Sequence, residues 1–209
     1  MSAESGQERF APDAPFRFVG GDCSLDFINT ADWTDRGIES DRFTSYQRLI
    51  EWARGADIAS ASDARRLAHF AASHPRRAAV AYEAAITSRF TLHELFASVV
   101  EELPRVRVLE QFNELHSEAA AKLQLARGEG ARLVRSWAGY AESPESILWP
   151  VIWSAGELLV STDADRLRRC AGRDCGWMYV DRSRNGLRRW CEMSVCGTVE
   201  KNRRRAERA

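Results

Sequence analysis

The chain has 209 residues, thirty acidic and thirty basic, with 44% apolar residues and seven tryptophans. This is ordinary for a folded protein and suits one globular domain with a small module attached. No stretch approaches the roughly 18 apolar residues of a membrane span, and residues 1–21 lack the basic start and apolar run of a signal peptide, so a cytoplasmic protein is expected.

Residues 1–14 are polar and read as a loose tail. Residues 16–29 mix Phe18, Val19, Leu25, Phe27 and Ile28 with Gly20 and Gly21, which predicts short strands around a glycine turn. Helical spacing starts near Ser45, with Tyr46, Leu49, Ile50 and Trp52 recurring at three- and four-residue steps, and Gly55 is the expected stop. Ser62 is expected to cap a second helix running to about Ser73. A long helix over residues 75–102 follows, with Val80, Ile86, Phe90, Leu95, Phe96 and Val99 inside and Pro104 closing it. Another helix passes through Val108, Phe112 and Leu115. Residues 123–125 and 133–137 then alternate apolar and polar around Arg127-Gly128-Glu129-Gly130, the pattern of a β-hairpin. Ser143-Pro144 opens a last large helix whose apolar residues surround its axis, with a kink expected at Pro150.

The zero net charge hides an asymmetry. From Arg166 onward there are thirteen Arg and Lys against five Asp and Glu, a net of +8, and the preceding part carries −8. A basic module for a polyanion on an acidic body is the natural reading.

The same basic segment holds Cys170, Cys175, Cys191 and Cys196, two C-x4-C pairs separated by fifteen residues. A thiolate quartet at this spacing suits a closed, structural zinc site. Unligated or redox-active thiols are the second choice, and disulfides, which need an oxidising compartment, the third. Cys23 lies far away in sequence and reads as a buried core thiol. Residues 176–180 have strand chemistry, Asn185-Gly186 is a favoured hairpin turn, and residues 187–190 are the expected return strand. Ser194 is expected to cap a terminal helix with Cys196 in its first turn. Trp177, Tyr179 and Trp190 would form the small core of this treble-clef-like arrangement.

On that helix Lys201, Arg204, Arg205 and Arg208 share a face, while Val199 and Arg203 are expected on the metal side. Together with Arg182, Arg184, Arg188 and Arg189 they form a candidate surface for double-stranded DNA. RNA, an acidic protein partner or a merely solvated tail would suit the same composition.

The run C-AGRD-C-GWMYVDRSRNGLRRW-C-EMSV-C-GTVEKNRR resembles the CGNR-type zinc finger of bacterial proteins. Gly21 to Thr30, G-D-C-S-L-D-F-I-N-T, resembles the start of the ABATE domain that accompanies that finger. The resemblance implies a stress-induced transcription regulator binding DNA through the finger. The chain departs from the naming motif after Cys196-Gly197, where Thr198-Val199 stand in place of Asn-Arg.

No catalytic constellation stands out. His69, His74, His93 and His116 match no metal-ligand spacing, and there is neither a phosphate-binding glycine loop nor a G-x-S-x-G elbow. Asp22, Asp26, Asn29 and Asp32 cluster early, and Asp26 and Asn29 in particular are candidates for a small-molecule effector pocket, though such residues more often cap turns. The expected fold class is mainly α with small antiparallel β elements: a helical domain over residues 1–165 for sensing or homodimerisation, and a zinc-binding basic module over residues 166–209. The expected function is regulatory and not enzymatic.

Overall fold

The computed structural model describes residues 14–103 and 105–207. The N-terminal tail, the Pro104 stop and Arg208 therefore lie outside the described residues.

The first element, α1 (Cys23–Ile28), corrects the expected strands. Asp22 caps it by accepting from the Ser24 backbone N–H at 2.9 Å. The same carboxylate accepts from the Ser154 hydroxyl at 2.9 Å. A strand would show alternate residues to two different faces. Here Leu25, Asp26, Phe27 and Ile28 are all buried, because the short helix sits inside the molecule against two larger ones.

A hairpin absent from the sequence-based expectation follows. Its strands β1 (Ala31–Thr34) and β2 (Gly37–Asp41) pair antiparallel, with an irregularity between Asp32 and Trp33. Helix α2 (Tyr46–Gly55) starts where expected, with Ser45 accepting from the Arg48 N–H. Helix α3 (Ala61–Ser73) is capped by Ser60 and not by Ser62. Asp63, three residues beyond Ser60, closes a reciprocal capping box that Ser62 cannot form with it.

Helix α4 (Pro75–Val100) is the long one. Its inner face is mostly small: Ala78, Ala81, Ala85 and Ser88 lead to Leu92, Leu95 and Phe96. Val80 and Phe90, expected inside, are exposed, because the alanine side takes the core and lets neighbouring helices approach closely. Helix α5 (Val106–Ala120) and the hairpin β3 (Leu123–Arg127) with β4 (Leu133–Trp137) agree with the apolar pattern. Pro144–Ile147 forms a 3-10 turn leading into α6 (Leu148–Val160). Pro150 lies in the first turn of α6, where its missing N–H would have had no helical partner.

The last pair, β5 (Leu167–Arg169) and β6 (Met178–Val180), is antiparallel. The strand expected near 176–180 is present, but its partner precedes it; residues 187–190 do not form the return strand. They are held otherwise. Tyr179 donates its hydroxyl to the Arg188 carbonyl, the Arg188 N–H bonds Asp181, and the Ala171 N–H bonds the Arg189 carbonyl. The terminal segment is a π-type turn, Met193–Gly197, followed by α7 (Thr198–Ala206). Ser194 donates to Glu192 and makes no cap bond; Glu192 is the extended residue before the turn.

Two apolar clusters hold these elements together, and each includes residues from both sides of position 165. The larger one, built on α1 to α6, also takes in Leu167, Met178 and Val180. The smaller contains all four C-terminal cysteines, Trp177 and Tyr179, together with Ala31 and Trp33 from β1. Trp190 is only partly buried against it.

Candidate metal centre and basic face

Cys170 follows β5, Cys175 ends a tight turn before β6, Cys191 follows the irregular return segment, and Cys196 lies in the π-type turn. Their sulfurs all lie within 4.8 Å of one another, and all four residues are buried. The Cys175–Cys191 and Cys191–Cys196 sulfur pairs are 3.9 and 3.6 Å apart. Tetrahedral zinc with Zn–S near 2.3 Å requires sulfurs about 3.8 Å apart, which these two pairs match, so the quartet fits that ion. No disulfide joins these cysteines.

The backbone completes the site. Gly172 and Cys191 N–H groups point at the Cys170 sulfur, at 3.4 and 3.2 Å. A side chain at Gly172 would begin 3.1 Å from the Cys196 sulfur. Without a cation the thiols share protons unevenly: hydrogen bonding with Cys170 first of all pushes Cys191 and Cys196 well above the ordinary thiol range, while Cys170 itself is lowered to about 7. A dication would let the remaining thiols ionise as well.

The cluster is seated on the segment Gly20 to Trp33. The Gly176 N–H donates to the Trp33 carbonyl at 2.8 Å, and the Trp177 indole donates to the Ala31 carbonyl at 2.9 Å. The Val180 N–H reaches the Gly20 carbonyl at 2.8 Å. The Trp33 ring is stacked on His93 of α4, centroids 3.8 Å apart, and meets Phe90 edge-on. Burial pushes His93 down to about 4, so it is a neutral packing partner near neutrality. Beneath this, buried Arg42 pairs with Asp32 at 3.0 Å, and buried Arg89 pairs with Asp41. Sequence reasoning did not find Trp33 or Arg42, and it placed Asp32 in a polar pocket, whereas Asp32 is buried against Arg42; the neighbours that decide this lie more than a hundred residues away or in a hairpin with weak alternation.

Asn29 and Asp26 meet different fates. Asn29 donates its amide to the Met178 carbonyl at 2.8 Å and accepts the Met178 N–H at 3.0 Å. Both ends of its side chain are therefore engaged. Asp26 borders a shallow depression of about 300 Å³ shared with Phe18, Asp22, Cys23 and Asp57. Burial, with some help from Asp22, raises its carboxyl to about 7 against the opposing Gly20 and Val19 hydrogen bonds. Cys23 is half-buried beside the main core.

Of the eight candidate basic residues, the seven that are described separate into two groups. Arg182 pairs with Asp163 at 2.7 Å and donates to the Gly21 carbonyl. Arg188 lies over the Tyr179 ring and donates to the Val19, Trp190 and Cys191 carbonyls, so it braces the finger. Arg204 is tied to Glu200 at 2.9 Å. Arg184, Arg189, Lys201 and Arg205 are exposed, and among the described residues none has an ion-pair partner. Arg208 lies outside the described residues. Val199, expected to face the metal, is exposed, and Glu200 is the buried residue of α7. Arg203 and Arg204 together hold the Glu200 carboxyl down to about 2.

No helix among the described residues is long and apolar enough to cross a membrane. A comparison with curated proteins finds no match. Residues 166–209 match the CGNR zinc finger, and the finger's four cysteines are the clustered quartet. Residues 21–162 match ABATE, whose description reads "Putative stress-induced transcription regulator". With most of its length covered by that match and its cysteine cluster seated on the segment that opens it, the chain belongs to the ABATE family and ends in a CGNR zinc finger.

Proposed function

We propose that this protein is a cytoplasmic, non-enzymatic transcription regulator that binds double-stranded DNA through a zinc-organised finger. The observation that carries it is the set of exposed cations Arg184, Arg189, Lys201 and Arg205, which have no ion-pair partner among the described residues, on the same module as a buried four-sulfur cluster. Zinc, when bound, supplies the charge that makes the thiolates tolerable and a cross-link between the two C-x4-C pairs. The order of knuckle, return segment and helix carrying the last ligand agrees with a treble-clef arrangement. The chain's own residues do the rest: Arg188 and Asp181 fix the return segment, and Glu200 braces α7 internally by pairing with Arg203 and Arg204. This leaves the exposed cations free to meet phosphates.

The family description, a stress-induced transcription regulator, supports the same function. The helical part is assigned sensing or dimerisation, and its tight contact with the finger gives either event a physical route to the DNA-binding surface. Titration of the zinc-loaded protein against mixed-sequence duplex DNA, single-stranded DNA and duplex RNA, at several salt concentrations, tests this. Duplex DNA binding with log affinity falling steeply against log salt is expected. Salt-insensitive or absent binding would move a protein-interaction module ahead, and a preference for RNA would replace the DNA assignment.

A further inference from the structure

Beside α7 runs an open groove of about 400 Å³ whose walls are chemically unlike each other. One wall carries Lys201, Arg204 and Arg205; the other carries Trp190 and Met193. Gly197 forms part of its lining, and a side chain there would begin 2.4 Å from the Met193 sulfur and 3.0 Å from the Trp190 ring. The groove therefore depends on a glycine at this position. Met193 is 62% exposed although it is a large apolar residue next to a buried metal centre. Lys201 and Arg205, one helical turn apart, project from the same side of α7. Glu200 also borders the groove, but Arg203 and Arg204 already occupy its carboxylate.

Cations alone would suit any polyanion. The apolar wall narrows the choice to a ligand with a carbon framework directly attached to its phosphates. The Arg189 guanidinium lies over the Trp190 ring, 5.2 Å from its centroid. With one face covered, the indole is better suited to contact a sugar along its edge than to be sandwiched between unpaired bases.

We infer that this groove seats one sugar–phosphate unit of a DNA duplex, with Met193 and the free edge of Trp190 against the deoxyribose and Lys201 and Arg205 on the flanking phosphates. This rests on the DNA-binding function proposed above and adds an apolar contact that charge does not supply. Its distinguishing property is salt dependence. An apolar contact releases no counterions, so its loss weakens binding equally at every salt concentration.

The experiment is fluorescence anisotropy of labelled duplex with the zinc-loaded full chain, comparing the parent with Met193→Ala, Met193→Leu, Trp190→Phe and Lys201→Ala/Arg205→Ala. Zinc stoichiometry serves as the check on folding. Met193→Ala should weaken duplex binding about tenfold at all salt concentrations with an unchanged slope. Met193→Leu should restore most of the affinity, and Trp190→Phe should fall between them. The double cation variant should instead flatten the slope by nearly two. A parent that binds duplex while zinc-loaded Met193→Ala binds equally tightly would overturn the groove assignment and leave DNA binding intact. If Met193→Ala weakens only single-stranded DNA or RNA, the duplex assignment is overturned. A parent that binds no nucleic acid at low salt removes the functional proposal itself, and the groove assignment with it.

Discussion

Asn29 and Met178, separated by 149 positions in the chain, are joined by two hydrogen bonds that mimic one rung of a β-ladder. The side-chain amide of Asn29 satisfies both backbone groups of the middle of the finger over a single residue. Because both residues are buried, water cannot replace these bonds if the amide is removed. Asn29→Ala should therefore destabilise the folded protein by about 3 kcal/mol, and Asn29→Asp by a comparable amount, since aspartate cannot donate to the Met178 carbonyl. Chemical denaturation of the zinc-loaded protein measures this. A change below about 0.5 kcal/mol for both would show that the clamp contributes little.

Gly176 tests the same seat from the finger side. A Cβ there would lie 2.6 Å from the Trp33 Cβ and 3.0 Å from its carbonyl oxygen. Neither neighbour is the flexible end of a side chain. Gly176→Ala should cost roughly 1–3 kcal/mol and lower the thermal midpoint, even though no metal ligand is altered.

Metal removal should be felt across the molecule. The cysteine cluster shares its apolar contacts with Ala31 and Trp33, and Met178 and Val180 belong to the main core. Elemental analysis is expected to find one zinc per chain. Chelation, or Cys191→Ser, should then lower the melting temperature of the helical part as well as the finger, giving one calorimetric transition. Two separate transitions, with the helical one unchanged, would show that the finger folds independently.

Asp26 gives the protein a pH dependence with a defined sign. Its folded carboxyl is raised to about 7, so the folded state holds the proton over a range where the unfolded state has lost it. As far as this group is concerned, stability should be greatest below pH 4 and should fall as pH rises towards 7, by an amount on the order of 4 kcal/mol. Asp26→Asn, which keeps an oxygen for the Gly20 N–H, should flatten that fall. Urea midpoints of parent and variant between pH 4 and 8, both zinc-loaded, check the slope; parallel curves would assign it to other groups.

The basic residues should divide by partner and not by charge. Arg188→Ala removes the brace on three carbonyls and should lower stability with little effect on the salt slope of DNA binding. Arg184→Ala and Arg189→Ala should leave stability within about 0.5 kcal/mol, and each should reduce the slope by roughly one if its side chain reaches a phosphate.

The sequence by itself determined the features that depend on local spacing. The two C-x4-C pairs identify the four sulfurs because a closed metal site tolerates few other arrangements. The helices α2, α4 and α5 follow from three- and four-residue periodicity, and the β3–β4 hairpin from alternation around a glycine-rich turn. Local rules were weaker where two signals competed. Ser60 and Ser62 both suit a cap, and only the reciprocal bond with Asp63 separates them. The run from Leu25 to Ile28 is too short for periodicity to distinguish a buried helix from a strand, and its capping by Asp22 is reinforced by Ser154 from another part of the chain.

Tertiary structure decided which charges are free and where one part of the molecule ends. Arg182 and Arg205 look alike in sequence, yet one is neutralised by Asp163 and the other has no ion-pair partner among the described residues. Asn29 looks like a pocket residue until Met178 arrives to use both ends of its amide. The apparent boundary near residue 165 marks a change in composition, but apolar burial joins β1 to the cysteine cluster and β6 to the helical core. Hydrophobic contact and buried hydrogen bonding depend on distance in space and not on position along the chain, so these relationships became visible only in the folded protein.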